Sequence, residues 1–475
     1  VQLKSQSKIR LATKLSAAAT CLTIAAAAPG QAQTPPEPGA TPGVELTNIS
    51  KNGRTFASVF PQVAVSRTDP NLVAVAWRQY NLPIDTNAVT GRVAECHVAI
   101  SRDGGKTWRD RNMMDMLRTQ GPQATALAGC NAPWVQIAND GTMYFGGALF
   151  TAGGELMPYP KAGRAGVSVS TDAGTTWAKM VPGIEIARFM PGMRGLQNGM
   201  EPHHTPWDGA NGVLDLQTSV FYSTAGAYIS ATEDKGKSFG TVYTGKGTAA
   251  AAFGKVVASR SVNELAGYTC PCLVFSITSD RGKTWQEQVI AQGGEYNSTG
   301  TIRYPITAAS PVVDGHYAVT VYQGDHRTVK VYYTRDGAKT WRVATPRPTP
   351  KDVAVSSANQ ASTGFTGDGK VLVTWRGFRN PGAFNTFVAM LDGDTFGPTV
   401  KVSPELSIYP TLTYAGNYGN GNGGGDFTTW VTGNAETAFV AFPMASKGEV
   451  LDTYLARVPL RLLSASAAAS QVASR

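Results

Sequence analysis

Charge is scarce in this chain: only 16% of its 475 residues are Asp, Glu, Lys or Arg. No Lys/Arg cluster is dense enough to track a phosphate backbone, which sets nucleic acid aside as a partner. Beyond the N-terminal segment, no stretch approaches the ~20 consecutive apolar residues of a membrane-spanning helix, so no membrane span is expected. Lys and Glu, which favour long helices, are sparse, whereas Gly occurs 52 times and Pro 28 times. That balance fits short strands and tight turns, an all-β chain. The 42% hydrophobic fraction excludes a fully disordered chain and can fill a core. At roughly 100–200 residues per domain, the length allows two or three domains or one large repeat architecture.

The N-terminus reads as a targeting segment. Lys4, Lys8, Arg10 and Lys14 precede an apolar run over 15–28 and a small-residue site near Ala32, the pattern of a secretory signal peptide over 1–32. Its apolar core is too short for an anchor, and Cys21 lies inside that run behind Thr20, the wrong place for lipidation. Removing the segment lowers the formal charge from +9 to +5, a mild excess compatible with an acidic glycan or with no charged partner. Four cysteines remain: Cys96, Cys130, Cys270 and Cys272. In an oxidising compartment an even count favours disulfides, and the Cys-Pro-Cys spacing makes a poor zinc chelate. Neither a metal nor a cofactor is expected. The export expectation is a secreted or periplasmic protein.

The strongest signal is an internal repeat. It reads SRDGGKTW at 101–108, STDAGTTW at 170–177, TEDKGKSF at 232–239, TSDRGKTW at 278–285 and TRDGAKTW at 334–341, with a degenerate LDGDTF ending at Phe396. The Asp carboxylate can accept backbone N–H bonds within a turn, the Gly supplies positive φ, the hydroxyls tie the hairpin ends, and the aromatic ring packs beneath. Five copies preserving the hydroxyl, Asp and aromatic positions, four of them with the Gly as well, mark a repeat architecture. Each copy follows short apolar strands, at 62–66, 72–77 and 97–101 before the first and at 134–137, 142–145 and 166–170 before the second.

This pattern resembles the Asp box, or BNR repeat, and over residues 44–462 the chain resembles the sialidase-like superfamily of secreted β-propellers. The resemblance implies a hairpin between the third and fourth strands of each four-stranded blade. Six units carry a box or its remnant. A seventh apolar set, at 427–431, 437–442 and 453–458, would take its fourth strand from 44–48, closing the ring and removing free edges. Seven blades are favoured over six in a single disc. Residues 33–43 read as a Pro-rich linker and 463–475 as a disordered Ala/Ser-rich tail. A monomer is expected.

The repeat turns are uniformly tight, whereas long connections at 79–95, 109–130, 179–206, 286–303 and 403–425 belong to the opposite face, where binding and catalysis concentrate. Residues entering the first strands are expected over the central funnel: Arg54 and Gln62, Asn131 and Trp134, Glu201, His203 and His204, Arg303 and Tyr304, Gln360, and Asp426. Arg78, Tyr322, Asp325, His326 and Arg376 end second strands nearby, with Arg78 and Arg376 following Trp77 and Trp375 in matching positions suited to packing. Cys96 and Cys130, on adjacent blades at this face, are expected to pair, leaving Cys270 and Cys272 to each other or as thiols.

Sialidases of this superfamily hold a substrate carboxylate with three arginines and use a Tyr nucleophile with an acidic partner. Their aromatic-Arg-Ile-Pro motif is replaced here by Val59-Phe60-Pro61-Gln62, and Ile302-Arg303-Tyr304-Pro305 is a rearranged analogue in another blade. Three readings remain. A glycoside hydrolase, the favoured one, would use Glu201 and Asp426 as its carboxylate pair, with His203 and Tyr304 as further catalytic groups. Arg303, His204, Asn131, Trp134 and Arg54 would bind its glycan. A polysaccharide lyase would use His203 or His204 with Tyr304, and Arg303 on a uronate carboxylate. A noncatalytic glycan- or protein-binding propeller would need neither set.

Overall fold

The computed structural model describes residues 40–51, 56–81, 94–118, 127–151, 163–185, 211–225, 228–293, 305–322, 329–346, 357–380, 383–404, 407–408, 429–446 and 450–464. They form seven antiparallel sheets arranged as the blades of a β-propeller. Blade 1 comprises Phe56–Val65, Val73–Asn81, Ala94–Ser101 and Arg109–Asn112, from the innermost strand outward. Blade 2 comprises Leu127–Ile137, Met143–Thr151, Gly163–Ser170 and Val181–Glu185. The first strands of blades 3 to 7 are Asn211–Leu214, Thr248–Ala252, Ile306–Ala309, Ser357–Phe365 and Trp430–Gly433.

Blade 7 is completed across the termini. Glu45–Asn48 pairs with Val450–Pro459, so the N-terminal strand supplies the fourth position, as the seven-blade reading requires. Asn48 Nδ2 and Ser50 Oγ both donate to the Asp452 carboxylate, at 2.9 and 2.7 Å. Leu463, expected to begin the tail, is instead fully buried between blades 6 and 7, because an apolar side chain beside that core gains more by docking there. Residues 1–39 and 465–475, which hold the expected signal peptide and most of the linker and tail, lie outside the described residues.

The strands read as near-continuous apolar runs because each blade is covered on both faces. Val73, Ala74, Val75 and Ala76 are all fully buried. Their alternation sends one set to each neighbour: Val73 and Val75 join the core shared with blade 7, Ala74 and Ala76 the core shared with blade 2. One such core lies between every consecutive pair of blades, and the seventh closes the ring.

The repeat turns join third and fourth strands. In the first copy, Ser101 Oγ donates to Asp103 Oδ1 at 2.7 Å, Thr107 Oγ1 donates to Asp103 Oδ2 at 2.6 Å, and Thr107 N donates to Asp103 Oδ1 at 2.9 Å. The other four copies reproduce the backbone bond at 2.8 to 3.0 Å. Gly174, in the second copy, has φ of +81° and lies so close to Ile100 of blade 1 that a Cβ would fall 2.1 Å from Ile100 Cδ1. The degenerate unit does something else: Asp394 sits in a two-residue hairpin and takes bonds from Tyr333 and Arg335 of blade 5, each at 2.9 Å.

Variable positions of the repeat, together with the turns between first and second strands, tie neighbouring blades on this face. Arg102 donates to the carbonyls of Asp172 and Ala173, Lys235 pairs with Asp140 at 2.6 Å, Arg281 with Glu233, and Lys255 with Asp314 at 2.7 Å. Arg335 with Asp394 and Arg457 with the Gly104 carbonyl extend the series, and Gly367 N to Asn434 O links blades 6 and 7. Each exposed ion pair contributes little, roughly 0–1 kcal/mol, so the apolar cores carry the stability.

Candidate functional site

In an antiparallel four-stranded blade, second-to-third connections and blade-to-blade connections leave from the end opposite the repeat turns. Three first strands break register toward that open end. Blade 1 is bulged between Val59 and Gln62, blade 2 between Asn131 and Trp134, and blade 6 between Asn359 and Ser362. Phe60 and Ala132 take positive φ of 55° and 44° within the first two. A bulge adds a residue to one strand and re-aims the side chains beyond it, a device concentrated near binding sites.

Buried arginines stand beside two of these breaks. Arg78 pairs in register with Val59, and Arg376 with Asn359, both almost fully buried. The Arg376 guanidinium lies 5.0 Å from the Phe384 ring centre. The preceding tryptophans are equivalent as well: Trp77 stacks on His97 at 5.2 Å, and Trp375 on Phe387 at 5.8 Å. The Ala-Trp-Arg and Thr-Trp-Arg matches thus occupy equivalent blade positions, and the tryptophans pack.

His97 gathers a charged cluster in the outer half of blade 1. Its Nδ1 lies 3.0 Å from Asp110 and its Nε2 3.7 Å from Glu95, and Asn112 Nδ2 donates to Glu95 at 2.9 Å. Burial lowers the imidazolium pKa, but hydrogen bonds and charge from Asp110 and Glu95 outweigh it and raise the value to about 9. His97 is therefore charged at neutral pH.

The seven first strands surround a central cavity of about 150 Å³. Arg67, at the repeat-turn end of blade 1, reaches into it and donates to the carbonyls of Gly433 and Phe365, bridging blades 1, 7 and 6. Burial lowers its pKa to about 10, which still leaves it charged. Gln136 Nε2 donates to the Gly212 carbonyl at 2.9 Å, while the buried Oδ1 of Asn211 has no hydrogen-bond partner among the described residues. Among the described residues, no group of three His, Cys, Asp or Glu could hold a metal ion.

Several expected site residues are placed differently. Gln62 and Trp134, expected to open their strands, lie well inside Phe56–Val65 and Leu127–Ile137, and Asn131 lies within the latter as well. Trp134 has no exposed surface: its ring fills the core between blades 2 and 3, against Phe221 at 5.2 Å and over Gly146 and Gly212. A fully buried ring offers nothing to a sugar, so Trp134 packs rather than binds. The register shift beside Ala132 accompanies this placement. Arg54, Glu201, His203, His204, Arg303, Tyr304, Asp325, His326 and Asp426 lie outside the described residues, as do the side chains of Asn131, Tyr322 and Gln360.

Cys96 and Cys130 are disulfide-bonded, with Cα atoms 5.6 Å apart, and join the third strand of blade 1 to the first strand of blade 2. Both are fully buried, and Met113 Sδ lies 3.7 Å from Cys130 Sγ. Cys270 and Cys272 are bonded to each other. No helix among the described residues is long and apolar enough to cross a membrane.

No family model and no curated protein sequence matches the chain. Among solved structures it is similar to a protein of unknown function from Dyadobacter fermentans, at 14% identity and a TM-score of 0.46, covering 88% of this chain and 99% of that one. It is also similar to the sialidase of Trypanosoma rangeli, at 12% identity and a TM-score of 0.45, covering 92% of this chain and 61% of the enzyme. A Hadza microbial sialidase matches at 13% identity and a TM-score of 0.44, covering 86% and 66%. The chain thus spans less than two thirds of the length of either sialidase.

Proposed function

We propose that this is an exported, glycan-active propeller of the Asp-box kind, a glycoside hydrolase working at the open face. The observation that carries the reading is the trio of bulges at matching places in blades 1, 2 and 6, toward the open end of their first strands. The repeat turns and the two disulfides support the Asp-box and export parts of it. Glu201 and Asp426 are the carboxylate pair, one protonating the leaving oxygen while the other attacks or activates water. His203 and Tyr304 assist proton movement. Arg303, Arg54, His204 and Asn131 hold the glycan, with guanidinium groups suited to a sugar carboxylate.

Screening the protein against sialosides, neutral oligosaccharides and uronate polymers tests this. Hydrolysis releases reducing ends without new ultraviolet absorbance, and Glu201→Gln and Asp426→Asn each abolish it in folded protein. An unsaturated, absorbing product would replace the hydrolase with a lyase using His203 or His204 and Tyr304. A noncatalytic binding role is the second reading, favoured by the absence of an arginine from Val59-Phe60-Pro61-Gln62, the segment that replaces the aromatic-Arg-Ile-Pro motif. Glycan binding without turnover of any substrate would establish it.

A further inference from the structure

The two disulfides are built for different purposes. Cys96–Cys130 spans 34 residues, joins two blades, and has both cysteines fully buried in an apolar core. Cys270–Cys272 spans 2 residues within one blade, where so short a loop constrains the unfolded chain little. Nor is it needed to hold its segment. Cys272 opens the third strand of blade 4, Cys272–Thr278, and is paired on both sides, with Val262 and with Gln292. The Pro271 carbonyl accepts a bond from Gly293 N at 3.0 Å.

Its surroundings are asymmetric. Cys272 is fully buried, whereas Cys270 is only half-buried and ends a connection, 263–269, whose every residue is exposed. This connection joins second and third strands and so leaves from the open end of the blade. Leu265 and Tyr268, 36% and 50% exposed, are two of the large apolar side chains standing in solvent. Glu264 is the sole charged residue of the connection.

We propose that Cys270–Cys272 is a thiol–disulfide exchange site in which Cys270, at the end of an exposed connection carrying Leu265 and Tyr268, is attacked by the thiolate of a cysteinyl peptide, and buried Cys272 is the leaving group. The incoming thiolate forms a bond to Cys270 Sγ, the Cys270–Cys272 bond breaks, and its electron pair leaves on Cys272, which takes a proton from solvent. A second thiol of the peptide class, as thiolate, attacks the peptide sulfur of the mixed disulfide and releases Cys270. Two thiols are oxidised to one disulfide, and the protein disulfide is reduced to two thiols. A small-molecule disulfide restores it by the reverse steps. Tyr268 and Leu265 suit an apolar peptide, while Glu264 opposes an anionic thiol such as glutathione. The proposal is independent of the glycan reading.

The test exposes the folded, full-length protein to reduced glutathione or to a neutral, apolar cysteinyl peptide, followed by alkylation and peptide mapping. Cys270 and Cys272 should become alkylated at least about tenfold faster than Cys96 and Cys130, because a fully buried bridge exchanges only after local opening. The peptide should react faster than glutathione, and a faster reaction with glutathione overturns the peptide assignment. Given the oxidised (disulfide) form of the same peptide, Cys272→Ser should accumulate a mixed disulfide at Cys270 as its thiolate attacks that disulfide and releases one peptide thiol, whereas Cys270→Ser should leave Cys272 unreactive until the chain unfolds. Equal trapping by both variants would overturn the assignment of attacked and leaving sulfurs. Reduction of all four cysteines together, and only on unfolding, would overturn the site itself, a readout of the unmodified chain that stands even where a variant fails to fold.

Discussion

Replacing Gly174 with Ala separates two reasons for a glycine in the repeat turn. At φ of +81° any side chain is strained, at about 1–2 kcal/mol. The added Cβ would also sit 2.1 Å from Ile100 Cδ1 and 3.3 Å from Met143 Sδ. Ile100 is packed into the core between blades 1 and 2, so overpacking adds about 1–3 kcal/mol. Reduced freedom of the unfolded chain returns about 0.5–1 kcal/mol. The net loss should be roughly 2–4 kcal/mol. Gly337→Ala is the control: φ there is +74°, but nothing lies within 4 Å of the new Cβ, leaving a loss of about 1 kcal/mol or less. Urea unfolding followed by tryptophan fluorescence, with the slope unchanged, reads the difference as a shift in midpoint. Equal losses at the two positions would refute the idea that approach of the neighbouring blade, rather than backbone conformation, requires Gly174.

The five repeat aspartates set an acid limit. Hydroxyl and backbone bonds from Thr284, with a further hydroxyl bond from Thr278, lower the Asp280 pKa from 3.8 to about 2, and Asp103, Asp172, Asp234 and Asp336 are lowered likewise. A lowered folded value gives stability that is present above about pH 4 and lost towards pH 2. The urea midpoint should fall across that window, and Asp280→Asn should flatten the fall. His97 has the opposite sign: raised from 6.5 to about 9, it stabilises fully below about pH 6.5 and loses that contribution as pH rises through 9. Its imidazole protons, followed by NMR, should titrate near 9, and a midpoint near 6.5 would remove the ion cluster from the account. Arg67→Met should cost roughly 2–4 kcal/mol in urea unfolding, because the buried carbonyls of Gly433 and Phe365 lose their shared donor. Arg303→Ala should weaken acidic glycans selectively, by about 1.5–3 kcal/mol in binding free energy, with neutral oligosaccharides as the internal comparison.

Legibility followed the range of the chemistry. The repeat turns were readable because Ser101, Asp103, Gly105 and Thr107 make their bonds within a few residues of one another. The blade count was readable from seven apolar sets, with the fourth strand of the last foreseen at the N-terminus. Trp134 was misplaced because a register shift one or two residues away decides where a strand side chain goes, and periodicity carries no mark of it. Pro61 and Pro133, just after the positive-φ residues Phe60 and Ala132, are the available signal. Arg67 looked like an ordinary turn residue, since its acceptors in blades 6 and 7 are hundreds of positions away. The Glu95, His97, Asp110 and Asn112 cluster was hidden for the same reason at shorter range: its parts come from two strands separated by a repeat turn.

The sheet made by the two termini also fixes an order of events. Asn48 and Asp452 are 404 residues apart, and the strand Glu45–Asn48 finds its partner only when Val450–Pro459 has been synthesised. Blades 1 to 6 each pair within a continuous stretch of chain and can assemble as it appears. Until then the strand Glu45–Asn48 waits with an open edge, available to the matching strand of another copy, and crowded chains can close one another's rings instead of their own.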